Sequence, residues 1–229
     1  KESEYPLLLS PYGGPDSQRV NTCYGLGYDD YLSTTLNIVV AIIDNIGTGG
    51  RGIKFMQETY LKLGVKEALD QIAAAKLIGQ RKEIDANRMA IRGHSFGGLL
   101  TLACLIVPEG SETFRVGVSV APVTDWRYYD TAYTERFMLT PSQNLDGYND
   151  SSILDKVSNI KTKLLVIHGT GDDNVHFQNS AQLNVSLVAA GVQYDSVYYA
   201  NRAHALAKFG AKKHYLTYIT NYLRTHLVN

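Results

Sequence analysis

Apolar runs alternate with polar stretches of helical period along most of the 229 residues. Six such runs stand between turn signals: Tyr5–Leu9, Asn37–Asp44, Arg88–Arg92, Val116–Ala121, Lys163–His168 and Gln193–Tyr199. Their lengths are those of strands. Ile38–Ile43 and Leu164–Ile167 are apolar almost without interruption, the pattern of strands covered on both faces. Between the runs, Val65, Ala68, Ile72 and Ala75 share one face of a helix reaching about Ile78, and Tyr215, Tyr218, Ile219, Tyr222 and His226 do so near the end. The alternation predicts an α/β fold, a mostly parallel central sheet with helices on both faces, as one domain over residues 1–229.

The interval Thr124–Ile160 breaks this rhythm and is crowded with rings: Trp126, Tyr128, Tyr129, Tyr133, Phe137 and Tyr148. Two readings stand at this point, packing of an excursion against the sheet or the lining of a pocket.

Composition narrows the function classes. A chain that is 45% hydrophobic and 19% charged buries a full core, which sets disorder aside. Twenty-two basic residues balance twenty-two acidic ones with no basic stripe, so nucleic-acid binding has no electrostatic source. The longest apolar stretches, Leu36–Ile43 and Leu99–Val107, fall short of a membrane span. Cys23 and Cys104 are the only cysteines and lack metal-ligand spacing, so neither a metal nor any other cofactor is expected. Asn149–Asp150–Ser151 and Asn184–Val185–Ser186 are glycosylation triplets, usable only on the secretory route. The sequence opens at Lys1 without an initiator methionine or signal peptide, and reads as a domain excised from a longer protein.

The chemistry begins at Arg88–Leu100, where an apolar strand runs into Gly93–His94–Ser95–Phe96–Gly97 and then a helix. Gly-x-Ser-x-Gly in that context is the nucleophile elbow of the α/β-hydrolase fold, in which small residues on either side let a strained serine stand exposed above the sheet. A serine nucleophile needs a histidine base, and the base needs a carboxylate to fix its tautomer. In this fold the acid and then the histidine follow the serine. Asp172 and Asp173 come after the Lys163–His168 strand and the Gly169–Thr170–Gly171 turn, and spacing does not choose between them. Of the six histidines, only His204 occupies a loop downstream of both. His94 adjoins the serine but points elsewhere on the elbow, His168 ends a buried strand, His176 opens a helix, and His214 and His226 belong to the terminal helical pattern.

These residues, with Tyr12–Gly13–Gly14–Pro15, Ala121–Pro122–Val123, Tyr133–Thr134–Glu135–Arg136–Phe137 and His168–Gly169–Thr170–Gly171–Asp172–Asp173–Asn174–Val175–His176–Phe177, carry a resemblance. Over almost its whole length the chain resembles the catalytic domain of the dipeptidyl peptidase IV family, prolyl-specific serine peptidases that include fibroblast activation protein. The resemblance implies a catalytic triad of Ser95, Asp172 and His204, and so selects between the two aspartates. It further implies oxyanion donors at the Tyr12 hydroxyl and the Phe96 amide, a proline pocket walled by Phe96, Val123, Trp126, Tyr129, Tyr133 and Val175, and Asn174 as a partner of the substrate carbonyl. The implied activity is release of N-terminal dipeptides from peptides with proline or alanine second. An N-terminal β-propeller absent from this chain, a homodimer, and an extracellular or cell-surface location as a type II membrane protein are implied as well. Family members that are relaxed endopeptidases or esterases, or non-catalytic interaction modules, stand as alternatives; the intact Ser95, Asp172 and His204 argue against the last.

Several positions depart from the family pattern. His94 and Phe96 stand where tryptophan and tyrosine are usual, and Ala205 replaces the glycine after the histidine, which restricts that loop if it needs a positive φ. Asn45–Ile46–Gly47–Thr48–Gly49 lacks the arginine of the usual Gly-Arg-Gly-Ser-Gly run. The family's disulfide positions are Val116 and His226 here, so packing supplies the roughly 2–4 kcal/mol of a cross-link.

Overall fold

Alternate side chains of the central strands divide between two cores, one on each face of a single sheet. The computed structural model describes residues 4–23 and 25–229; Lys1, where the sequence opens, lies outside them. The six strands are β1 (Tyr5–Leu9), β2 (Val39–Ala41), β3 (Ile84–His94), β4 (Val116–Val120), β5 (Lys163–Gly169) and β6 (Asp195–Tyr199). They lie in the order β2-β1-β3-β4-β5-β6, and every neighbouring pair is parallel. The connecting helices are α1 (Tyr28–Leu36), α2 (Ile53–Gln57), α3 (Val65–Gly79), α4 (Phe96–Ile106), α5 (Pro108–Thr113), α6 (Thr131–Met138), α7 (Leu145–Ser151), α8 (Gln178–Ala189) and α9 (Ala211–Leu223). This is the α/β-hydrolase architecture that the sequence pattern predicts.

Leu7, Leu9, Ile91 and Val166 enter the core under α3, α4 and α8, while Leu8, Ala90, Leu165 and Ile167 enter the core under α1 and α9. Each fully buried leucine adds roughly 1.5–3 kcal/mol relative to an exposed one. Helix α3 begins where Glu67 Oε2 accepts the Gly64 amide at 2.9 Å, and it buries Ala68, Gln71, Ile72 and Ala75. Helix α4 is buried along its whole length, so its sequence is apolar on every side.

The pattern misleads at the sheet edges. Of Asn37–Asp44 only Val39–Ala41 joins the sheet; β2 is an edge strand with one neighbour, half-buried rather than covered on both faces, and Ile42 is 37% exposed. On the other edge, β6 is shorter than Gln193–Tyr199 and largely exposed. His176 precedes α8 instead of opening it, and His226 falls in a final π-turn, Arg224–Val228, with its ring 4.5 Å from that of Tyr222. Thr124–Ile160 contains no strand among its residues: α6 and α7 fill it, with single 3-10 turns at Trp126–Tyr128 and Leu154–Asn159. Cys23 is exposed and Cys104 buried, and both are free thiols. Among the described residues no helix is long and apolar enough to cross a membrane.

Because all strands run the same way, their C-terminal ends form one rim. Tyr12 follows β1, Ser95 follows β3, Val123 follows β4, Asp172 follows β5 and His204 follows β6. In open α/β sheets that rim is where ligands gather.

Candidate active site

Two glycines are required to make the turn at Ser95. A Cβ on Gly93 would stand 2.0 Å from the Gly97 carbonyl oxygen, and one on Gly97 would stand 2.4 Å from the Pro11 carbonyl oxygen. Between them Ser95 takes φ 62° and ψ −121°, a strained conformation for a residue with a side chain. The Ser95 amide donates to the Val120 carbonyl at 2.9 Å, and its own carbonyl accepts the Leu99 amide at 3.0 Å, so strand and helix hold the turn from both sides. Phe96 is the first residue of α4, where a helix has no internal acceptor for the amide.

At the end of β5 a second cluster forms around a carboxylate. Asp172 Oδ1 accepts the amides of Asn174 and Val175, each at 3.0 Å. Its Oδ2 lies 2.8 Å from His204 Nδ1 and 3.1 Å from His168 Nε2. Burial opposes the charge on Asp172, but the hydrogen bonds from His168, His204 and the Asn174 amide outweigh it and hold the carboxyl well below the usual carboxylate range. Nδ1 of His204 donates to the carboxylate, and Nε2 is left on the other side of the ring, away from Asp172. His204 is only partly buried, and a cleft of about 700 Å³ opens beside it, lined also by Tyr129, Asp173 and Asn174. Asp173 is exposed, and its carboxylate takes no hydrogen bond among the described residues.

His168, which in the sequence reads as the end of a buried strand, joins this cluster. It is fully buried, its Nε2 also faces the Val175 carbonyl at 2.8 Å, and its Nδ1 lies 2.7 Å from Ser180 Oγ. Two acceptors at Nε2 place the proton there and leave Nδ1 to accept from the Ser180 hydroxyl. Its spacing of four residues before Asp172 was the available signal. His94 also needs correction: instead of pointing away, its ring lies 4.8 Å from that of His204. The elbow and the His204 loop are therefore neighbours, although Ser95 Oγ makes no hydrogen bond among the described residues. Burial, then the nearby His204, hold His94 down to about 4, so its ring is neutral at neutral pH.

Rings of the 124–160 interval gather against Phe96, the residue after Ser95. Phe96 lies 5.8 Å from Trp126, Trp126 stacks on Tyr133 at 5.9 Å, and Tyr129 meets Tyr133 edge-on at 5.3 Å. Val123 and Val175 are buried beside them. The Tyr129 hydroxyl donates to Asn174 Oδ1 at 2.7 Å, joining this box to the Asp172 loop. Thr124 and Asn179 bind the two segments further, with the Thr124 amide 2.9 Å from Asn179 Oδ1. Tyr12 is 38% exposed, with its ring 6.2 Å from Phe96. Burial of part of the ring raises its pKa, so the hydroxyl keeps its proton.

The substitution of Ala205 for glycine is harmless to the backbone, because the positive angles lie further on, at Leu206 (φ 49°), Lys208 (φ 69°) and Phe209 (φ 48°). Asn45, in the run that lacks an arginine, is buried and donates from Nδ2 to the Gly13 carbonyl at 3.1 Å, which ties the loop behind Tyr12 in place. The arrangement thus offers a strained serine, an Asp172-oriented imidazole and an apolar box on one rim, the groups that acyl transfer needs.

Known proteins share this arrangement of chain. The model of the prolyl oligopeptidase family matches residues 26–229. Dipeptidyl peptidase 4 of Sus scrofa is 42% identical over 227 residues, 98% of this chain and 29% of that protein. Prolyl endopeptidase FAP of Mus musculus is 38% identical over 227 residues, 98% of this chain and 30% of that protein. The crystal structure of Porphyromonas gingivalis dipeptidyl peptidase 4 superposes with a TM-score of 0.95 at 42% identity, over 99% of this chain and 32% of that one. The chain spans less than a third of the length of these relatives. Similarity of this extent, along almost every residue, shows that the chain belongs to the prolyl oligopeptidase family of serine peptidases, close to dipeptidyl peptidase 4 and prolyl endopeptidase FAP.

Proposed function

We propose that this chain is the catalytic domain of a serine peptidase that releases N-terminal dipeptides from peptides with proline, then alanine, as the second residue. The observation that carries the reading is the His204 Nδ1 to Asp172 Oδ2 hydrogen bond of 2.8 Å on the same rim as the strained Ser95. In this reading Ser95 Oγ attacks the scissile carbonyl carbon and gives its proton to His204 Nε2. The oxyanion accepts from the Tyr12 hydroxyl and the Phe96 amide. His204 then returns the proton to the departing amine as the C–N bond breaks, and water, activated by the same imidazole, frees the acyl group.

The rings of Trp126, Tyr129 and Tyr133, with Phe96, Val123 and Val175, suit a flat pyrrolidine held before the scissile bond, and Asn174 supplies a polar contact to the peptide. The chain covers 29% of dipeptidyl peptidase 4 of Sus scrofa, and in this reading the whole protein carries an N-terminal propeller that selects the free amino terminus. A homodimer at the cell surface belongs to the same reading.

The test compares Gly-Pro, Gly-Ala, acetyl-Gly-Pro and bulky-residue nitroanilides on the full-length protein. Strong preference for free Gly-Pro supports the proposal. Equal cleavage of acetyl-Gly-Pro identifies an endopeptidase instead, and failure of a fluorophosphonate to label Ser95 refutes acyl transfer.

A further inference from the structure

A second cavity, of about 350 Å³, opens beside the elbow, where Gly93 and His94 form part of its wall. Its wall includes His94, Arg92, Arg19, Tyr12 and Lys212. His94 and Phe96 flank the serine in sequence and part company in space: Phe96 joins the Trp126 box, and His94 lines this cavity. A substrate lying across Ser95 with its acyl side in the box therefore sends its leaving amine toward the cavity.

The cavity is built for an anion. Arg92 Nη2 donates to Asp29 Oδ1 at 2.7 Å and Arg19 Nη2 to Asp29 Oδ2 at 3.4 Å, so two guanidinium groups share one carboxylate. Lys212 adds a third cation and makes no ion pair among the described residues. Tyr28 lies under the Arg92 guanidinium at 5.0 Å and fixes its plane, with its own hydroxyl donating to the Leu216 carbonyl at 2.8 Å. Two buried nitrogens here, Arg92 Nε and His94 Nε2, have no hydrogen-bond partner. A buried guanidinium N–H left unpaired is costly, and it marks a wall whose donors outnumber the acceptors that the chain supplies.

We propose that this cavity binds a carboxylate carried by the leaving peptide, so that hydrolysis favours substrates with a negative charge directly after the scissile bond. The inference rests on the acyl-transfer reading of Ser95. Two sources offer that group, an acidic side chain or the terminal carboxylate of a tripeptide.

The full-length protein is assayed with Ala-Pro-Glu-amide against Ala-Pro-Gln-amide, and with Ala-Pro-Gln free acid against its amide. A preference of about tenfold in kcat/KM is expected in at least one pair, shrinking as salt is raised. The pair that shows it names the source, and no preference in either overturns the inference. Arg92→Gln and Lys212→Gln should each bring the charged-to-neutral ratio toward one; Lys212 is exposed, so that variant keeps its fold even if Arg92→Gln does not. An undiminished ratio in folded Lys212→Gln and Arg19→Gln proteins also overturns it. Equilibrium binding of the same peptides to Ser95→Ala protein reads the cavity without bond cleavage. A lack of hydrolysis of uncharged Ala-Pro-nitroanilide by the unaltered protein refutes the peptidase reading alone, while absence of charge preference in the binding assay refutes the cavity assignment alone.

Discussion

His168 Nε2 lies 3.1 Å from Asp172 Oδ2, and neither side chain is exposed to solvent. The contact makes His168 a positioning residue for the carboxylate that orients His204. His168→Leu should leave Asp172 with one fewer donor and raise its pKa, destabilise the fold by about 2–4 kcal/mol, and shift the acid limb of the rate profile upward. Urea unfolding and a pH–rate profile check both effects. An unaltered acid limb in a destabilised protein would reduce His168 to a packing role.

Ser95→Gly should be more stable than the unaltered chain by about 1 kcal/mol, because glycine takes φ 62° without strain. Fluorophosphonate labelling should vanish in the same variant. Asp172→Asn should lower kcat by roughly 10⁴-fold by misdirecting the His204 tautomer. Labelling rates and thermal melts of the two variants measure these outcomes.

Tyr12→Phe should lower the rate of acylation by roughly 10²–10³-fold with little change in KM, since an oxyanion donor acts on charge that exists only in the transition state. Single-turnover kinetics with an ester and an amide substrate provide the measurement. Equal rates in both would return Tyr12 to a packing role against Phe96.

Glu67 supplies a pH dependence of stability. Its side chain is fully buried behind the aromatic box, and burial pushes its carboxyl up to about 8. The folded protein therefore holds this proton more tightly than the unfolded chain does. Its contribution to stability is complete below the ordinary value of 4.5 and is lost progressively as pH rises toward about 8. Glu67→Gln should flatten that loss and be about 2–4 kcal/mol more stable than the unaltered chain near pH 8, relative to their difference near pH 4. Chemical unfolding at the two pH values reads the difference directly.

The central strands were legible in the sequence because burial on both faces leaves an uninterrupted apolar run, as in Leu164–Ile167. β2 was overdrawn because Ile42 and Ile43 are just as apolar, and only the sheet order reveals that this strand is an edge. As candidates, Ser95 and His204 come from turn chemistry and chain order, whereas the choice of Asp172 over its neighbour comes from the family resemblance. The amide donors at Asn174 and Val175 and the His204 contact distinguish the two acids only in three dimensions. His168 and Arg92 read in the sequence only as the ends of strands, because the purpose of each depends on a partner that folding brings alongside, Asp172 for one and Asp29 for the other.

The wholly parallel sheet has a kinetic corollary. Parallel neighbours cannot be joined by a tight hairpin, so each pairing closes a long loop before its contacts repay the lost entropy. Tyr12 and His204 stand at opposite ends of the sequence, and the rim that unites them is complete only once β6 has docked on β5. Such non-local order slows folding. Secondary structure should return first on dilution from denaturant, and fluorophosphonate reactivity last, making the labelling of Ser95 a clock for the final docking event.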